Sequence, residues 1–343
     1  MSYNILYNEC TEIKGGTFMY KKLNTPLFSA WNTYAVSMMS VLEDCGMWEK
    51  EDTFQKFMGI TGIVAQFCID KRCSALPITD YDWLTEHPRF MKRIGVETQI
   101  YYAPPNDPDY DSKQENAINA VKEAINRNRA AVVWGIDTGE FGIIDGYDDE
   151  DGVFFTKGIG SENTGSSLPI LFKNLGKTFS PSPVLYVEIP ESRQPTDKKQ
   201  RYFHSLKLYA NEMTHKSDRE DRAYGINGYD FLISALKNNI CDSFGLRYCM
   251  GVYCERKDAM LLYLREIKNE FNSCEIEAVI HEFEKITKLY RRLLIDILEQ
   301  GTDGWNHLLK EINREKYSEI IQIIEEIKAR EIKTAEIIDR CMP

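Results

Sequence analysis

A glutamate at position 140 and hydroxyls at positions 29 and 33 are the residues whose types and setting could do chemistry in this chain. Glu140 opens the mostly apolar run EFGIIDGYDDE (140–150), where a carboxylate is expensive to bury without a partner. It suits a general base whose pKa is raised by desolvation, an anchor for a substrate amine, or a glutamate simply tied to backbone. Ser29 and Thr33 flank the start of an apolar-periodic stretch, WNTYAVSMMSVL (31–42). Each is a candidate hydroxyl nucleophile, although a hydroxyl needs a neighbouring base far more than a thiol does, and each also suits a helix cap. Trp31 and Asn32 lie between them, and Gly59 and Gly62 in FMGITG allow positive φ or close approach of another group. With Tyr147, these residues outline a candidate ligand cleft.

Thiol hydrolases and acyltransferases need a thiolate at a helix N-terminus, a histidine on a facing strand and an Asp or Asn to orient it. The chain has that order of elements without those residues. No cysteine lies between Cys10 and Cys45, position 140 is Glu, and the third slot falls near Thr156 and Lys157. Cys68 is the displaced thiol that an active enzyme could use instead. Cys68-x4-Cys73 and Cys249-x4-Cys254 repeat a spacing, but they lack the two-residue knuckle of a zinc site, so no metal and no cofactor is expected. Asp145, Asp148 and Asp149 sit close together, yet DDEDG is also what a solvated β-turn needs. Of the histidines, His87 precedes a proline and His204, His215, His281 and His307 fall in the helical part, where surface or packing roles are expected.

The elements that must position these residues change character along the chain. Residues 31–42 predict a largely buried helix and 52–58 a short one. Residues 63–69 predict a strand, 81–94 a helix interrupted at Pro88, 98–102 a strand and 112–127 an amphipathic helix. Strands follow at 130–136, 140–147, 152–156 and 184–189, with short connections that predict an antiparallel sheet. Helices first and a late antiparallel sheet make an α+β domain. The segment PESRQPTDKK breaks the pattern, so the boundaries predicted are 1–190 for the α+β domain and 200–343 for a helical bundle. The bundle helices are placed at about 202–213, 228–237, 257–271, 274–299 and 302–340, the last broken near Arg314.

The 343 residues carry a net charge of −11, which disfavours nucleic acid and anionic membranes, since both need clustered Lys and Arg. The N-terminal MSYNILYNECTEIKGG has no signal-peptide pattern, and no apolar run approaches the length of a membrane span. A cytoplasmic protein is therefore expected. The nine cysteines are odd in number and irregular in spacing, which argues against a disulfide framework.

The helix at 31–42 with Gly46, the loop FMGITG and the strand at 140–150 resemble the papain-like superfamily. Within it the chain is similar to the group named for the N-terminal domain of butirosin-biosynthesis protein H, with double-glycine-leader peptidases as more distant relatives. The resemblance covers about residues 10–190, and the helical remainder looks like the bundle that often accompanies this domain. Its strand motif, His-x-x-apolar-apolar-x-Gly-Tyr-Asp-Asp, puts Glu140 at the histidine, and counting back from Gly46 puts the nucleophilic cysteine at about Thr33. Intact members are implied to transfer an acyl group from a carrier protein to an amine in specialised-metabolite pathways. With all three slots altered, the expectation is a catalytically degenerate protein that binds an acyl or peptidyl ligand, free or carrier-bound, with Glu140 contacting an amine or amide. The alternatives are an active acyltransferase or amide hydrolase using Ser29, Thr33 or Cys68 with Glu140 as base, and a structural protein that forms a homodimer through its long helices.

Overall fold

The computed structural model describes residues 19–137, 139–159, 167–177, 184–215, 219–271, 274–299 and 304–341. The N-terminal stretch 1–16, including Cys10, lies outside them. In chain order the elements are β1 (Tyr20–Lys22), α1 (Thr33–Asp44), α2 (Phe54–Thr61), β2 (Cys68–Asp70), α3 (Trp83–Arg93), β3 (Val96–Ala103), α4 (Tyr110–Asn126), β4 (Ala131–Ile136) and β5 (Glu140–Asp148). They continue with β6 (Val153–Lys157), β7 (Ile170–Leu171), β8 (Leu185–Arg193), α5 (Lys198–Thr214), β9 (Arg222–Tyr224), α6 (Ile226–Lys237), α7 (Ser243–Ile267), α8 (Cys274–Arg291) and α9 (Tyr317–Cys341). The chain divides into two compact units, residues 1–50 with 96–193 and residues 51–95 with 194–343.

The first unit is α+β, built on an antiparallel sheet in the order β3-β8-β4-β5-β6-β7. β1 pairs with β5 at residues 146–148, beyond the stretch that β4 occupies. Alternation along the strands sends Val133, Ile144 and Val187 into a core with Ala117, Val121 and Ala124 of α4. Their neighbours Trp134, Phe141 and Tyr186 take the opposite face, where Phe141 meets Tyr34 of α1 edge-on at 5.3 Å. α1 is buried along nearly its whole length, from Thr33 to Leu42. The register slips at Asp145, so that Ile144 pairs with Thr156 and Gly146 with Phe155. That extra residue puts Tyr147 in the α4 core with Ile144 rather than on the Phe141 face.

The second unit is helical, with one two-stranded ribbon in which β2 pairs with β9. Side chains open its helices: Thr53 accepts from the Lys56 N–H, Asp82 from Thr85, Asp197 from Gln200 and Asp242 from Gly245. α9 buries Ile320, Ile323, Ile324 and Ile327 at helical spacing, and α8 buries Ile276, Val279, Ile280, Phe283 and Ile286. Each such side chain contributes about 1.5–3 kcal/mol. α8 and α9 are bridged within the chain by Arg330 and Lys333 on Glu282, and the turn after α8 reaches α9 through Arg292 on Glu319.

The domain boundary differs from the one predicted. Residues 51–95 belong with the helical unit, because Cys68–Asp70 adds to β9 and Tyr253 of α7 bonds both the N–H and the carbonyl of Cys68. These are pairings across more than 150 positions, which no local pattern announces. Residues 63–65 form a short 3-10 turn where a strand was expected. α3 runs on through Pro88, which lacks one N–H but lies exposed on the helix surface. α7 starts at Ser243, fourteen residues before the predicted Lys257. Among the described residues, no helix is long and apolar enough to cross a membrane.

Candidate functional site

Thr33 is the first residue of α1 and Glu140 the first of β5, and the fold brings them together. The Thr33 hydroxyl donates to Glu140 Oε2 at 3.0 Å and accepts from the Phe141 N–H at 3.4 Å. Thr33 is buried, and Glu140 is half-buried. The hydroxyl therefore joins two elements and does not cap its own helix. Asn32 stands at the cap position without a side-chain cap bond, while its carbonyl accepts from Val36. Ser29 is exposed four residues before the helix, and Trp31 is half-buried beside it.

Below this pair lies a carboxylate that the sequence marks only as one acidic residue within the apolar strand VLYVEI. Glu188 is fully buried, opposite Val132 on β4, and accepts hydroxyls from Tyr34 at 3.1 Å, Tyr186 at 2.6 Å and Thr98 at 2.8 Å. Three hydroxyl donors compensate a charge that would otherwise be costly in this layer. Tyr34 follows Thr33 on α1 and Tyr186 packs edge-on against Phe141 of β5, so the buried network fixes the two elements that carry the Thr33–Glu140 bond.

The third slot is occupied by structural bonds. Lys157 pairs with the buried Asp145 at 2.8 Å and donates to the Thr25 carbonyl at 2.6 Å, while Thr156 donates to the Leu168 carbonyl. Burial raises the Asp145 pKa, and the attraction of Lys157 only partly offsets it. Asp148 accepts from the N–H groups of Glu150 and Asp151, as a β-turn requires, and Asp149 pairs with Lys122. Among the described residues, no cluster of His, Cys, Asp and Glu could hold a metal.

Three other expected site residues serve packing within their own units. Tyr147 is wholly buried in the α4 core, its hydroxyl on Asn126 Oδ1 at 3.0 Å, because of the slip at Asp145. Gly59 and Gly62 belong to the second unit. Gly59 is inside α2, not in a tight loop, and a Cβ there would lie 2.3 Å from the Tyr263 ring. Gly62 ends α2 in the left-handed region at φ 84°. The expectation of close approach holds for both glycines, but it serves packing of the helical unit. Cys68 also lies in the second unit, where burial pushes its thiol up to about 12. A thiol so held is a poor nucleophile at neutral pH.

Compared with known proteins, the chain matches no family model and no curated protein sequence.

Proposed function

We propose that the first unit is a papain-like domain in which Thr33 and Glu140 stand in place of the catalytic cysteine and histidine. It binds an acyl or peptidyl ligand without thiol catalysis, as an accessory or acyltransferase-like protein of specialised-metabolite biosynthesis. The observation that carries this reading is the 3.0 Å bond between Thr33 and Glu140. The two positions are 107 residues apart, and the resemblance points to each through a different motif, one by its distance from Gly46 and one by the strand at 140–150. Their meeting at a helix start and a strand start supports the resemblance.

Chemistry favours binding over turnover. The Thr33 hydroxyl donates a hydrogen bond to a carboxylate, a weak base towards an alcohol, and the residues near the third slot, Thr156 and Lys157, are engaged elsewhere. Octanoyl-N-acetylcysteamine, an acyl thioester that imitates a carrier arm, tests the reading. The expected result is saturable binding with thiol release no faster than in buffer, and binding weakened about tenfold by Glu140→Gln. Thiol release above background that Glu140→Gln abolishes would establish the hydroxyl enzyme instead, and absence of binding would remove the ligand.

A further inference from the structure

We propose that the helical unit carries a second, separate site: a cavity of about 650 Å³ that binds a small organic carboxylate with an apolar body, anchored by Arg93. The volume is within the range of about 300–1,000 Å³ that holds small ligands. Its apolar wall includes Phe67, Ile78, Phe90 and Leu208, and every lining residue belongs to the second unit.

Most charges around this cavity are spoken for. Glu86 is held by Arg89 at 2.7 Å, Asp80 by Arg222 at 2.7 Å and Arg219 by Asp221 at 2.7 Å, while Asp82 caps α3. Arg93 is different. It is half-buried at the end of α3, its guanidinium lies 5.7 Å from the Phe90 ring centre, and Nη1 donates to the Thr61 carbonyl. Among the described residues it forms no ion pair, and Nε and Nη2 have no acceptor. These two N–H groups are one edge of the guanidinium fork, the edge that matches a carboxylate with two parallel hydrogen bonds. Gly62 makes this posture possible, since a Cβ there would lie 2.9 Å from Nη1.

The neighbours set the ligand's charge. Burial lowers the Arg93 pKa, and Glu86 and Glu212 oppose that effect, so a carboxylate from solution would restore a partner to a partly desolvated cation. Glu212, itself in the cavity wall and raised by burial, repels a second negative charge. A monoanion with an apolar body is thus favoured over a phosphate dianion.

Calorimetric titration of the full chain with 4-phenylbutyrate, 4-phenylbutyramide and inorganic phosphate tests the site. The expected result is saturable binding of 4-phenylbutyrate only, weakened about tenfold or more by Arg93→Gln and less by Arg93→Lys, which keeps the charge but loses the fork. Glu212→Gln should tighten it. Should Arg93→Gln fail to fold, the Arg93→Lys and Glu212→Gln pair decides by their opposite signs. The proposal is overturned if 4-phenylbutyrate does not bind, if the amide or phosphate binds as well, or if a folded Arg93 variant binds undiminished. None of these outcomes bears on the first unit.

Discussion

Chemistry at single positions here is decided by what each side chain touches. A hydroxyl at 33 and a carboxylate at 140 could be nucleophile and base, cap and anchor, or a structural pair, and the sequence left these open. The contact is a joint between helix and strand, because the Thr33 hydroxyl both donates to Glu140 and accepts from the Phe141 N–H. Cys68 is closed by its surroundings in the same way. With its thiol at about 12, and that of Cys254 also at about 12, iodoacetamide at pH 8 should leave both unmodified in the native protein and label both in urea. Peptide mass mapping reads this out, and rapid native labelling of Cys68 would restore it as a candidate nucleophile.

Elements are held by buried polar groups as much as by apolar faces. In the second unit, Lys257 of α7 and Glu331 of α9 pair at 2.8 Å with almost no exposure, and Tyr209 of α5 donates to the same glutamate at 2.6 Å. Glu331→Gln leaves the ammonium buried without its counter-charge and should cost about 3–5 kcal/mol in urea unfolding. The double change Lys257→Met/Glu331→Leu should recover most of that loss. If the single variant is as stable as the parent, the helices do not rely on this cluster.

The order of helices and strands was readable from period and breakers, and α1, α4, β4 and β5 fall within a few residues of their expected bounds. What remained hidden depends on partners remote in sequence. Tyr147 changes face because one residue bulges at Asp145, and β2 leaves the first unit because it pairs with β9. Glu188 had no visible role until Tyr34, Tyr186 and Thr98 were seen to converge on it. Arg93 reads from sequence as one more cation in a helix's last turn.

For the molecule as a whole, acid stability should be set partly by Glu282. Burial pushes its pKa up, but Lys333, Lys285 and Arg330 outweigh burial and hold it at about 2. A carboxylate depressed below its unfolded value stabilises above that value and loses the contribution as pH falls through the folded one. Glu282→Gln should therefore cost about 1–2 kcal/mol at pH 7, since its cations are partly exposed, and the difference should shrink from about pH 4.5 towards pH 2. Denaturant midpoints across that window check the sign, and a gap that widens on acidification would contradict it. The central claim concerns the first unit, and placing a cysteine–histidine pair at positions 33 and 140 tests it most directly. In the double variant Thr33→Cys/Glu140→His, the rate of iodoacetamide alkylation of the introduced thiol is followed against pH. A helix N-terminus and an imidazole at hydrogen-bond distance should bring its pKa below about 7.5, well under the free-thiol value of about 8.5. An introduced thiol that titrates at or above the free value would show that positions 33 and 140 are not the papain-like slots.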